Sequence, residues 1–147
     1  MASLITDSEK KILSGVFNDV FDTFKREVVV YKEPVKTITT INEAALFGYG
    51  EDANVTNYEY ATQSGSFHGI IKYQDKQDEK YYSDIGSPLP AGDVRVKVKK
   101  ECRDYIENGH KTEKIVFDSK SWNIISDDSV KRFLDTEFFV YYLERAK

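Results

Sequence analysis

The chain reads as an α+β domain: one amphipathic helix, then a small antiparallel β-barrel or sandwich of about six strands, with long loops. Three observations predict this. Ile12, Leu13, Val16, Phe17, Val20, Phe21 and Phe24 recur at helical spacing. Asp93–Lys99 alternates strictly, with Val94, Val96 and Val98 on one face and Arg95, Lys97 and Lys99 on the other. From Lys114 to Arg145 the order is strand, three-residue turn, strand, polar loop, aromatic strand. A strand–helix–strand rhythm is missing, so a parallel sheet is not expected.

The helix, over 6–25, has a defined start. Thr6 and Glu9 form a Thr-x-x-Glu capping box, in which each side chain satisfies a free amide of the other residue. Its apolar stripe can lie on the sheet or dock on a neighbouring subunit; the first use is the expectation. The β-rich remainder, 26–147, completes a single domain of 147 residues. Glu27–Lys32 is a β-branched strand that Glu33-Pro34 should close, since proline cannot continue a ladder. Residues 37–65 lack periodicity and read as one long loop, a length usually tied to function or to minor structure of its own. Phe67–Tyr73 is the next strand, followed by a solvated turn at 75–80 and a Pro/Gly turn at 86–92. Glu101–Asn108 is a short helix or turn closed by Asn108-Gly109, and strands follow at Thr112–Phe117, Ser121–Ser126 and Glu137–Glu144. The expected core comprises Val16, Phe17, Val28, Val30, Ile70, Val94, Val96, Ile115, Phe117, Trp122, Ile124 and Val140.

Composition narrows the function. Hydrophobic content of 40% is too high for disorder, and 10 Tyr, 9 Phe and 1 Trp favour sheets or adhesive surfaces. A net charge of −4 argues against a general nucleic-acid binder. One cysteine excludes an internal disulfide, and the N-terminus lacks the pattern of a secretory signal, so a soluble cytosolic product is the expectation.

Groups able to do covalent chemistry are scattered. His68 sits in a strand and His110 in a turn, and neither belongs to a nucleophile motif. Cys102 stands alone, and a lone cysteine is usually a small core residue. Two His and one Cys do not supply zinc spacing, and Asp127-Asp128 and Glu51-Asp52 lack the calcium-loop pattern. Gly48-x-Gly50 lacks the context of a phosphate loop. The basic run Arg95, Lys97, Lys99, Lys100, Arg103 reads as the wet side of a strand. No enzyme activity, metal or cofactor is expected.

Three segments in order carry a resemblance: Lys25–Pro34 (KREVVVYKEP) after the opening helix; Leu46–Gly50 (LFGYG) with Ser64–Tyr73 (SGSFHGIIKY); and Gly92–Lys97 (GDVRVK) with Lys114–Ser126 (KIVFDSKSWNIIS) and the aromatic strand. In this order the chain resembles the neck proteins of tailed bacteriophages, the head-completion, head-closure or stopper proteins between portal and tail. The long opening helix departs from minimal head-closure proteins. The resemblance implies a non-enzymatic virion subunit in a homo-oligomeric ring that helps retain packaged DNA. Its partners would be a portal or adaptor protein, a tail or terminator protein, and DNA passing without sequence-specific binding.

Two other readings stay open: a tail-completion or terminator ring of the same neck, and a cone-shaped α+β ligand-binding domain using His68, Tyr60, Asp84 and Trp122. An acidic adaptor in a host cell is a third. Under the leading reading, docking falls to the helix face, the long loop and the 127–136 loop. The expected partner-binding residues are Leu46, Phe47, Tyr49, Glu51 and Asp52, with Lys131, Arg132 and Phe133.

Overall fold

The computed structural model of the chain describes residues 3–40, 57–75, 80, 83–86, 92–126 and 129–147. Its elements are α1 (Asp7–Phe24), β1 (Arg26–Thr40), β2 (Asn57–Tyr73), β3 (Val94–Val98), α2 (Lys100–Glu107), β4 (Thr112–Phe117), β5 (Lys120–Ile124), β6 (Ser129–Phe133) and β7 (Thr136–Arg145). All strand pairings are antiparallel, in the order β3-β2-β1-β4-β5-β7-β6. A further ladder between β3 and β7, from Val94↔Leu143 to Val98↔Phe139, closes six of the seven strands into a barrel.

Closure makes strand parity decisive, because alternate residues must fill the interior. Val28, Val30, Val94, Val96, Val98, Ile115, Phe117, Trp122, Phe139, Tyr141 and Leu143 all point inward and are buried. Small β-branched valines suit the narrow lumen, and Gly69 leaves room where a Cβ would sit 3.0 Å from Val96 Cγ1 and 3.1 Å from Lys97 O. Phe117 and Trp122 stack at 5.2 Å across the β4–β5 hairpin. That hairpin turns on two residues, Asp118 and Ser119, both at positive φ, one residue shorter than expected. The Asp118 carboxylate fixes the turn by accepting from Arg26 Nη1 at 3.0 Å and from the Tyr73 hydroxyl at 2.8 Å.

α2 covers one mouth of the barrel, burying Cys102 and Ile106. Lys32 points inward from β1, only 4% exposed, and its ammonium donates to Ile106 O and Asn108 O at 2.8 Å each. These are carbonyls at the C-terminal end of α2, where a cation is favoured. Burial lowers the Lys32 pKa, and Glu107 opposes that shift.

The capping box of α1 is present: Thr6 N–H donates to Glu9 Oε2 at 2.7 Å, and Glu9 N–H to Thr6 Oγ1 at 3.3 Å. The Thr6 amide, together with the Thr6 hydroxyl donating to the same Glu9 Oε2 at 2.8 Å, holds the Glu9 carboxyl below its usual range. The helix seats only one edge of its stripe. Phe21 stacks on Phe138 at 5.4 Å and Phe17 on Phe133 at 4.8 Å, while Ser14 and Thr136 share a hydrogen bond. Val16, expected in the core, is 50% exposed, and Phe17, Ile70 and Ile124 are half-buried. The stripe spans about half the helix circumference, and a sheet face can cover only part of that width.

Three further expectations are corrected. β1 does not end at Pro34; it continues to Thr40 across a register shift between Lys32 and Val35, and a bulge tolerates proline's missing N–H. The loop placed at 37–65 is therefore shorter, since Thr37–Thr40 and Asn57–Gly65 belong to paired strands. The loop placed at 127–136 contains β6, whose charged, exposed residues hide a strand that pairs fully with β7.

Leu143→Ala should lower stability by roughly 2–5 kcal/mol, as expected for a cavity in a closed core. Val16→Ser in the monomer should change it by less than about 0.5 kcal/mol. Urea unfolding measures both; a loss at Val16 as large as that at Leu143 would return the helix stripe to the sheet.

Candidate functional site

The described surface holds two apolar regions with no cover among the described residues. The first is the open half of α1, where Ile12, Leu13, Val16, Val20 and Phe24 are 40–67% exposed. Helical spacing puts Glu9 and Asp19 on this same half, with no cation among them. Phe133 and Leu134, 45% and 44% exposed, extend the region through the Phe17–Phe133 stack. Half-exposed large side chains contribute about 100 Å² each. Seven of them therefore reach or exceed the ~300–600 Å² of the largest patch on an ordinary monomer.

The second region is an arm. β4 pairs with β1 only from Val29 to Lys32, and β3 pairs with β2 only from Gly69 to Tyr73. Beyond these ladders, Val35–Thr40 and Asn57–Ala61 pair with each other as a two-stranded ribbon. Lys36 lies opposite Tyr60, and Ile38 opposite Tyr58, so these four side chains share one face. Ile38 is 56%, Tyr58 49% and Tyr60 64% exposed, and the Lys36 ammonium sits 3.5 Å from the centre of the Tyr58 ring.

Of the expected partner-binding residues, Leu46, Phe47, Tyr49, Glu51 and Asp52 lie outside the described residues. Lys131, Arg132 and Phe133 are on β6 and exposed. Arg132 is engaged by Glu137 at 2.8 Å, and Phe133 is the joint between sheet and helix. Lys131 lies opposite Phe138 on the outer face, close enough to Lys97 to help lower its pKa, after burial and Arg95. The arm's aromatic face escaped sequence reading because Tyr58 and Tyr60 fell inside an assumed loop; the alternation Tyr58, Tyr60 opposite Lys36, Ile38 was the available signal.

The ligand-pocket alternative finds little geometry. Trp122 is buried in the barrel, with its indole N–H unpaired among the described residues, while His68, Tyr60 and Asp84 are exposed on β2, the arm and residues 83–86 respectively. His68 and Cys102 do line one surface concavity together with Asp22 and Glu101. Burial pushes the Cys102 thiol up to about 12, opposite to the shift that would activate a thiolate nucleophile. Among the described residues, no group of three His, Cys, Asp or Glu side chains could hold a metal ion, and no helix is long and apolar enough to cross a membrane. No protein-family model, curated protein or solved structure matches the chain.

Cys102 provides a pH test of the core. The unfolded thiol ionises near 9 while the folded one keeps its proton to about 12, so the native state binds the extra proton between them. Stability should therefore fall as pH rises above 9, by up to ~1.4 kcal/mol per unit from this group. Urea unfolding of wild type and Cys102→Ala at pH 7.5, 9.5 and 10.5 separates the thiol's contribution from that of other groups. Identical pH slopes for the two proteins would sink it.

Proposed function

We propose that this chain is a structural subunit of a homo-oligomeric ring, of the kind that joins portal to tail in the neck of a tailed phage and helps retain packaged DNA. The observation that carries this reading is the open apolar half of α1, continuous with Phe133 and Leu134. An uncovered region of that size marks a protein–protein interface. Two supports accompany it. The closed barrel is filled by its own side chains, which suits a rigid building block better than a ligand cup. The ordered resemblance of the strand segments to neck proteins supplies the biological setting.

In this reading the ring neighbours meet through two different patches of the same subunit, the arrangement that lets a rotation close. The neighbours above and below would be a portal or adaptor ring and a tail or terminator ring. DNA would pass through the lumen without sequence readout, in keeping with an acidic subunit that does not grip phosphates.

Light scattering after size-exclusion chromatography should show assembly of the wild-type chain, alone at high concentration or on a portal ring. Val20→Asp should abolish it while leaving the thermal midpoint of the monomer within a few degrees. Lys131→Glu should weaken it with little effect on folding, since exposed charges contribute little to stability. Phage particles made without the protein should package DNA but lose it or fail to join tails. Tailed, infectious particles assembled without it would overturn the neck reading.

A further inference from the structure

We infer that the aromatic face of the β1–β2 arm of one copy docks on the open half of α1 in the neighbouring copy. This rests on the ring reading and names the two patches that meet. Each surface lacks a cover among the described residues, and each has what the other needs.

Shape comes first. Ile12, Val16, Val20 and Phe24 form a ridge at four-residue spacing, about 18 Å long at 1.5 Å per residue. The six arm residues Val35–Thr40 extend about 20 Å at 3.3 Å per residue. The ribbon can therefore lie along the whole ridge, presenting Tyr58, Tyr60 and Ile38 to it. Tyrosine is well suited to such a role, because its ring buries area while its hydroxyl stays wet at the rim.

Charge selects the pairing. The open half of α1 carries Glu9 and Asp19 and no cation, whereas the arm face carries the cation Lys36. Arm-to-arm contact would oppose lysines, and helix-to-helix contact would oppose carboxylates; arm-to-helix contact opposes unlike charges. Topology then makes the contact intermolecular. α1 enters β1 at Arg26, and the arm begins nine residues later at Val35, about 30 Å further along a rigid strand. Within its own chain α1 is held instead by Phe133 of β6 and by Thr136 and Phe138 of β7.

A lone two-stranded ribbon is marginal in water, so docking also stabilises the arm. The contact is heterologous, which is what repetition around a ring requires.

Cysteine cross-linking of the full chain tests this. Cys102 does not compete, since it is buried with a thiol pKa near 12. Val16→Cys combined with Tyr60→Cys, both at exposed positions, should give a ladder of dimers and higher species on mild oxidation, while each single variant stays monomeric on a non-reducing gel. A dimer from Val16→Cys alone or from Tyr60→Cys alone would indicate two-fold pairing of like surfaces and overturn the assignment. Independently, Asp19→Lys and Lys36→Glu should each raise the concentration needed for assembly by about tenfold, and the double variant should recover it. A wild-type assembly that persists by light scattering while the double-cysteine variant assembles but gives no ladder overturns the docking and leaves the ring reading standing. A wild-type chain that stays monomeric both alone at high concentration and on a portal ring removes the ring reading itself.

Discussion

The rest of this structure depends on the ladder between β3 and β7. Before it forms, the strands are an open sheet with two faces and two exposed edges. After it forms, one face of each barrel strand becomes a narrow interior, and alternate residues must be apolar and compact. Val28 and Val30 of β1, the three valines of β3, and Tyr141 and Leu143 of β7 are almost fully buried for that reason. Closure also removes the two edges most prone to unwanted pairing, and confines open backbone among the described residues mainly to the arm and β6.

A barrel of six strands still has mouths, and α2 covers one of them. Packing of Cys102 and Ile106 contributes the apolar part of that cover. Lys32 contributes the polar part, donating to two carbonyls at the helix end. The arrangement has a cost: the ammonium must be desolvated, which lowers its pKa, but two short hydrogen bonds and the nearby Glu107 keep a proton favourable. Thr112 adds a third bond, from its hydroxyl to Ile106 O at 3.1 Å. Tyr141, within the barrel, donates to the Glu107 carboxylate at 3.0 Å, so the same helix end is tied to β7 as well as β1.

Much of this was legible in the residues. The capping box and the span of α1, the strict alternation of β3, the boundaries of β4 and the length of the final strand all follow from local pattern, and each agrees with its tertiary setting. What escaped depended on partners distant in sequence. Helical periodicity locates a stripe but not which half of it faces the sheet; the Phe17 and Phe21 stacks decided that. Pro34 stops a regular ladder, but a bulge beside Lys111, whose carbonyl accepts from Glu33 N–H, let β1 run on. β6 carries Lys131 and Arg132 on an exposed edge, so its strand pairing left no hydrophobic alternation to read. On the surface, Phe133 was anticipated but its stacking role was not, and the aromatic arm lay hidden in a presumed loop.

The aromatic surplus divides along the same line. Phe117, Trp122, Phe139 and Tyr141 serve closure, and Phe21 with Phe138 fastens the helix, whereas Tyr58, Tyr60, Phe24 and Phe133 remain largely open to water. Core packing accounts for the first group and leaves much of the second group's surface uncovered among the described residues. The two open regions belong to different elements, α1 and the β1–β2 ribbon, attached to a barrel that resists deformation because its interior is close-packed. A rigid body with complementary patches at separated positions adds neighbours at a constant angle, and only that angle distinguishes a closed ring from a growing filament. In the proposed assembly the arm is the compliant part, a ribbon of marginal stability joined to a stiff core. Ordering it costs conformational entropy that docking must offset, so isolated subunits would associate weakly and a template that gathers them would associate them strongly. A ring built on a portal is such a template.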